Sequence, residues 1–416
     1  MGKYHRYLIG IAGFGVTLAL GTLYAWGVFV PTLEEYFGVT RAEVMIPFSI
    51  ASVVFALGMV PAGRLQDKKG PKLIVIIGGI SAGLGYALSS TAVHLWQLSL
   101  YFGLLGGMGM ALGYCGAVAG GVKWFPDSKG TATGIMVGGF GLGALVFGPV
   151  IHILLERVGW ESTFLILGIV FAIIIISLGL LVIKNPPAGW MPEGWDPAKL
   201  TRTKTVEYTG MEVTGGKIIK TPEFIGMWIF FFSICSGGLA IMTQMVPFSR
   251  DYFGFTAAAA TGLVMIFSIL NFSGRLGLGP LSDRIGRLDT FMLIGVLMTI
   301  AVFLFAIIYF LNMPFLFYIL VPLAGISFGG CLALSPAFAA DVWGLKNFGL
   351  NYGMLFTAWG IAGIYGPYFA GAVYDALGSY EVAFLVFTIQ CVISVLLARY
   401  YVKPRLQSRI QQLQQR

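Results

Sequence analysis

One arginine stands apart from the other basic residues of this chain. Arg275 falls inside an apolar run that extends from about residue 256 to 281, whereas the other Lys and Arg residues lie in or beside the polar breaks between such runs. Inserting a guanidinium at that depth costs at least ~2.5 kcal/mol, so it needs a compensating group. All 18 acidic residues fall in loops or near the ends of apolar runs, none in the middle of one. The natural partner is then an anion from outside the chain, because the guanidinium fork presents paired donors that match the two oxygens of a carboxylate. Asn271 lies four residues earlier, one helical turn away on the same face. Helical side chains lean toward the N-terminus, so the pair can address one cavity. Helix-end carbonyls, buried water or the end-of-run acid Asp283 are the other ways of satisfying Arg275.

Other chemistry finds little support. No HExxH, GxSxG or clustered histidine is present, so an intramembrane enzyme lacks its nucleophile, base or metal set. The four cysteines, Cys115, Cys235, Cys331 and Cys391, sit inside apolar runs without paired spacing and read as core packing rather than as a metal or disulfide framework. His152, near the outer end of a run, suits an interfacial polar residue. The glycine-rich stretches 103–121 and 138–148 suit close helix packing, not a cofactor loop. No cofactor and no catalytic residue is expected.

The elements that must position Arg275 are membrane spans. Of the 416 residues, 57% are apolar and 11% charged, against about 25% charged in a soluble domain. Breaking the chain at charged, Pro-rich and Gly-rich points predicts twelve helices, near 7–30, 41–63, 72–91, 94–122, 130–155, 160–183, 222–249, 256–281, 289–310, 313–340, 347–374 and 379–402. They are numbered spans 1 to 12 below. The basic N-terminus runs into an apolar stretch that continues to Val30 without a small-residue cleavage pattern, so it reads as span 1 rather than a signal peptide. This divides the chain into a six-helix half at 1–184, a polar linker at 185–221 and a second six-helix half with a short tail at 222–416.

With both termini on the cytoplasmic side, 22 of the 26 Lys and Arg residues face inward and three face outward, and the one left is Arg275. That bias fixes the orientation. It also accounts for the net charge of +8 through the anionic inner leaflet, without a nucleic-acid partner.

The halves repeat. Tyr36-Phe37-Gly38-Val39-Thr40 returns 216 residues later as Tyr252-Phe253-Gly254-Phe255-Thr256, and Gly63, Asp67 and Gly70 return at the same offset as Gly279, Asp283 and Gly286. Gly148-Pro149 returns as Gly366-Pro367, and Glu161 with Phe164 as Glu381 with Phe384. Two parallel repeats are how carriers that rock about a midplane site are built. The segments Gly63-Arg64-Leu65-Gln66-Asp67-Lys68-Lys69-Gly70-Pro71 and Gly279-Pro280-Leu281-Ser282-Asp283-Arg284-Ile285-Gly286-Arg287 resemble the loop signature of the major facilitator superfamily. The resemblance implies a gating latch built from Asp67, Arg64 and Lys68 in one half and Asp283, Arg284 and Arg287 in the other. A merely solvated loop is the plainer reading of the same residues.

Almost the whole chain is similar to the oxalate:formate antiporter family and to bacterial monocarboxylate transporters. The similarity is carried by Tyr24-Ala25-Trp26 through Thr40, Tyr114 through Trp124-Phe125-Pro126-Asp127, Asn271 through Arg287, and Asn351-Tyr352-Gly353. It implies an aromatic substrate lining at Tyr24, Trp26, Tyr114, Phe328 and Phe356, beside Arg275 and Asn271. Two departures matter. Eukaryotic relatives carry an Asp where this chain has Asn271 and a Lys where it has Val28, which leaves no carboxylate to relay a proton. The antiporters carry a second cation eight residues after the Asn of Asn-Tyr-Gly, where this chain has Trp359. A single intramembrane charge leaves a dianion half compensated and favours a monoanion.

These features imply a monomeric secondary transporter of a small monocarboxylate of the lactate or pyruvate kind, in a bacterial inner or plasma membrane and in contact with membrane lipid. It would work by alternating access with proton symport, with anion exchange as the alternative and a channel less favoured.

Overall fold

Inside a bilayer, backbone N–H and C=O groups have no water to bond, so an apolar run satisfies them by coiling into a helix. The computed structural model describes residues 4–181, 183–187, 190–192, 212–213 and 216–414, and among these no strand occurs. Ten helical stretches are long and apolar enough to cross a membrane. One of them, Lys129–Leu181, holds two spans meeting at Gly159, whose φ of 77° reverses the chain. A further 30-residue helix, Phe348–Leu377, escapes the hydropathy criterion because Gly, Tyr and Trp dilute its apolar character. Twelve crossings result among the described residues.

Span 1 begins as Tyr4–Leu20 and tightens into a 3-10 stretch, Gly21–Val28. Span 2 is Arg41–Lys69 and span 3 is Pro71–Ser89. Span 4 passes through a π-helical Ser99–Gly106 into Gly107–Val122. Lys129–Leu181 supplies spans 5 and 6. Spans 7 to 10 are Pro222–Phe253, Ala257–Ile285, Arg287–Leu311 and Phe317–Trp343. Span 11 is Phe348–Leu377, and span 12, Glu381–Leu397, runs on through a π turn into Lys403–Gln414. Most of the expected linker at 185–221 lies outside the described residues, as do Lys199, Arg202 and Lys204.

The internal repeat has a physical basis in helix punctuation. Gly38 and Gly254 adopt nearly the same left-handed conformation, φ 62° and 63°, and end a helix where a residue with Cβ would be strained. Two residues on, Thr40 accepts from the Glu43 amide and Thr256 from the Ala259 amide, so each starts the next span. The signature segments differ from expectation in one respect. Gly63 to Lys69 and Gly279 to Ile285 form the last turns of spans 2 and 8 rather than loops. Basic residues in a final turn complement the helix dipole, which favours that extension.

The chain sorts into two compact units, Met1–Trp195 with Leu345–Gly360, and Asp196–Gly344 with Ile361–Arg416. In the first, spans 1 and 5 meet glycine to backbone: a Cβ at Gly21 would run into the Phe140 carbonyl, and one at Gly139 into the Phe14 carbonyl. In the second, spans 8 and 10 meet in the same way at Gly274, Gly325 and Gly329. Such close approach gives dispersion contacts over the whole helix face, the main adhesive between helices in lipid. All four cysteines are buried free thiols.

Candidate functional site

In the second unit, the contact between spans 8 and 10 fixes the polar pair. A Cβ at Gly329 would collide with the Asn271 carbonyl, and one at Gly274 with the Ile326 carbonyl, so only glycine allows the two backbones to lie this close. Arg275 is 1% exposed and Asn271 5%. The Arg275 Nε donates to Asn271 Oδ1 at 2.8 Å, which holds the guanidinium plane against its own helix. Asp283 is eight residues further along the helix, about 12 Å at the α-helical rise. Its carboxylate accepts from Arg287 Nη1 at 2.6 Å. Phe328, on span 10, is buried, with its ring 6.1 Å from that of Phe267.

In the first unit, aromatic residues from spans 1, 2, 4, 5 and 11 form one cluster. Phe55 is its hub, with ring centroids 5.4 Å from Tyr114, 5.5 Å from Phe140, 5.3 Å from Phe356 and 5.6 Å from Trp359. Tyr24 joins edge-on through Phe140 at 5.1 Å, and Trp359 stacks on Phe356 at 5.2 Å. The Tyr114 and Tyr352 hydroxyls are 3.4 Å apart. Four predicted residues, Tyr24, Tyr114, Phe356 and Trp359, are thus brought together. Trp26 is not among them: it stacks on Phe102 at 4.4 Å and donates to the Val44 carbonyl at 3.2 Å, so it is built into the packing of spans 1, 2 and 4. Phe55, Phe140 and Tyr352, which the sequence does not single out as lining, join the same cluster; nothing in a lone sequence separates a lining aromatic from a packing one.

The signature segments behave differently in the two units. Asp67 accepts from the Gly349 and Leu350 amides, both at 2.9 Å, and so caps span 11 at its positive end. Gly63 permits this, since a Cβ there would strike the Gly349 carbonyl. Arg287, 3% exposed, bridges Asp283 at 2.6 Å and Asp341 at 2.8 Å, tying together the ends of spans 8, 9 and 10. Arg64, Lys68 and Arg284 are exposed and stand outside both arrangements. In the Trp124–Asp127 loop, Asp127 pairs with Arg6 at 2.9 Å and the Trp124 indole donates to the Lys184 carbonyl at 2.7 Å, so the loop is a fastening between segments. His152 is exposed beside Glu156. Among the described residues, no cluster of His, Cys, Asp and Glu could hold a metal.

Comparison with known proteins agrees with this architecture. The sequence pattern of the Major Facilitator Superfamily matches residues 10–329 and 278–415, and the chain belongs to that family. It is 29% identical over 407 residues to the oxalate:formate antiporter of Oxalobacter formigenes, covering 98% of this chain and 93% of the antiporter. It is 28% identical over 331 residues to monocarboxylate transporter 12 of Xenopus laevis, covering 75% and 70%. The fold matches that of the transporter FucP, crystallised in the outward conformation, with a TM-score of 0.70 at 16% identity, covering 95% of this chain and 98% of FucP. The protein is a multi-pass membrane transporter and not an enzyme.

Proposed function

We propose that the protein is a secondary active carrier of a small monocarboxylate anion of the lactate or pyruvate kind, moved together with a proton by alternating access. The observation that carries this reading is Arg275, 1% exposed in mid-span and oriented through its Nε by Asn271 at 2.8 Å. A guanidinium can bind a carboxylate through paired donors, and a monoanion brings one compensating charge. Phe328, buried on span 10 in the same unit as Arg275, would supply a flat apolar wall for the rest of the cargo. Asp67 on the span 11 amides, and Arg287 between Asp283 and Asp341, would act as latches that hold one conformation and release on each cycle. The uneven distribution of Lys and Arg between the two sets of loops supports a topology with both termini in the cytoplasm.

The second reading is anion exchange, favoured by the antiporter relative that spans 98% of the chain. Purified protein in liposomes distinguishes the two. Uptake of labelled L-lactate that rises with an inward proton gradient and disappears in Arg275→Ala supports symport at the proposed anion site. Uptake that requires a preloaded anion and ignores the gradient makes the protein an exchanger. No monocarboxylate uptake in either mode, or an unaffected Arg275→Ala, sinks the substrate assignment.

A further inference from the structure

A buried side-chain amide that bonds nothing is unfavourable, because it has given up water at its donor and its acceptor alike. Gln66, in the last turns of span 2, is in that position. It is 0% exposed, and neither its Nε2 nor its Oε1 has a hydrogen-bond partner among the described residues. Asp67, the next residue, accepts from the Gly349 and Leu350 amides at the start of span 11. One helix end thus carries a satisfied carboxylate beside an unsatisfied amide.

The internal repeat shows why the amide is left over. At the offset of 216, Gln66 corresponds to Ser282 and Pro71 to Arg287. Ser282 is also buried, but its Oγ donates to the Gly279 carbonyl at 2.7 Å and accepts from Arg287 Nη1 at 2.5 Å. The first half has a proline in place of that guanidinium, so the donor that serves position 282 has no counterpart for position 66. Glycine contacts then shut the amide off from water. A Cβ on Gly349 would strike both the Gly63 carbonyl and Gln66 Oε1, and one on Gly353 would strike the Met59 carbonyl, so spans 2 and 11 lie backbone to backbone along this face.

Asp67 and Gln66 therefore act on one contact in opposite senses. The carboxylate gains two charge-assisted bonds when the ends of spans 2 and 11 meet. The amide loses its water there and gains nothing in return. We infer that Gln66 is a release element of the contact between spans 2 and 11: unsatisfied while the contact is closed and hydrated once it parts, its amide makes parting more frequent than the Asp67 bonds alone would allow. The inference rests on the reading of that contact as a latch, and adds the residue that keeps the latch from holding too firmly.

The test is amide hydrogen exchange on the full-length protein in liposomes, followed at Gly349 and Leu350 and compared between wild type and Gln66→Met. These two N–H groups lie in the first turn of their helix, where no intrahelical acceptor serves them, so their protection reports the Asp67 contact. Methionine keeps an unbranched side chain of similar length and removes both polar atoms. Exchange at the two amides should be about tenfold slower in Gln66→Met, as relief of a buried unsatisfied group implies. The melting temperature of the variant should rise. Equal or faster exchange, an unchanged or lower melting temperature, or failure of Gln66→Met to accumulate would overturn the inference, since each would mean that a polar group or bound water serves Gln66 in the closed contact. Two failures are distinguishable. Local opening at these amides in the wild type, with no slowing in Gln66→Met, removes this inference and leaves the latch; amides that open only when the whole wild-type protein unfolds remove the latch reading and this inference together.

Discussion

Arg275 and Asn271 were legible because two simple rules meet there: a charge needs a reason to sit in an apolar span, and residues four apart on a helix share a face. The structure adds which edge of the guanidinium is used, the Nε bonding Asn271 Oδ1 at 2.8 Å. Asn271→Ala should therefore raise KM for the anion about 5- to 30-fold with a smaller change in kcat, the loss of one charge-assisted hydrogen bond of about 1–2 kcal/mol. Asn271→Asp should do something different. An ionised carboxylate one turn from Arg275 competes with the cargo for the guanidinium. Uptake by Asn271→Asp should be poorer than by wild type; equal uptake would show that Asn271 does not face the anion. Phe55 and Phe140 were invisible in the sequence for the opposite reason. A phenylalanine in a membrane span carries no mark of whether it packs or lines, and only the ring geometry around Phe55 reveals the hub.

At the scale of elements, the sequence located the spans through length and polar breaks but underestimated how far helices 2 and 8 continue, because charge was read as a boundary. It also could not reveal what Asp67 binds, since backbone amides have no sequence signature. Asp67→Asn keeps the size of the side chain but loses the charge and one acceptor oxygen facing the Gly349 and Leu350 amides. The change should destabilise the capped conformation by about 1 kcal/mol, as removal of a helix cap does. It should show as altered Vmax with nearly unchanged KM, together with a lower melting temperature; equal Vmax and melting temperature in both proteins would mean that the cap does not limit turnover. The glycine contact between spans 8 and 10 gives a sharper expectation. Gly329→Ala inserts a methyl into the Asn271 carbonyl, and forcing helices apart in a packed core costs about 1–3 kcal/mol. Since Asn271 and Arg275 ride on that helix, lactate uptake should fall far more than protein yield, whereas Gly277→Ala on the same helix, with open space at its Cβ, should leave uptake intact.

For the molecule as a whole, repeat and charge asymmetry were readable at a distance because they are properties of many residues at once. Coupling was not, because it depends on how the energy of the empty carrier compares with that of the loaded one. Asn271 accepts from the Arg275 Nε, a bound monoanion would bring a countercharge of its own, and moving an ion between low-dielectric environments is easier when its charge is matched. The loaded protein should therefore change conformation faster than the empty one. Liposomes preloaded with unlabelled lactate should take up labelled lactate several-fold faster than empty liposomes at the same external concentration and zero proton gradient. An inward proton gradient should then narrow the difference by driving net uptake if protons are coupled, and leave it unchanged if the protein only exchanges anions. Equal rates with and without preloading would mean that the return of the empty carrier is not slow, and that the charge on Arg275 is balanced by the protein in both states.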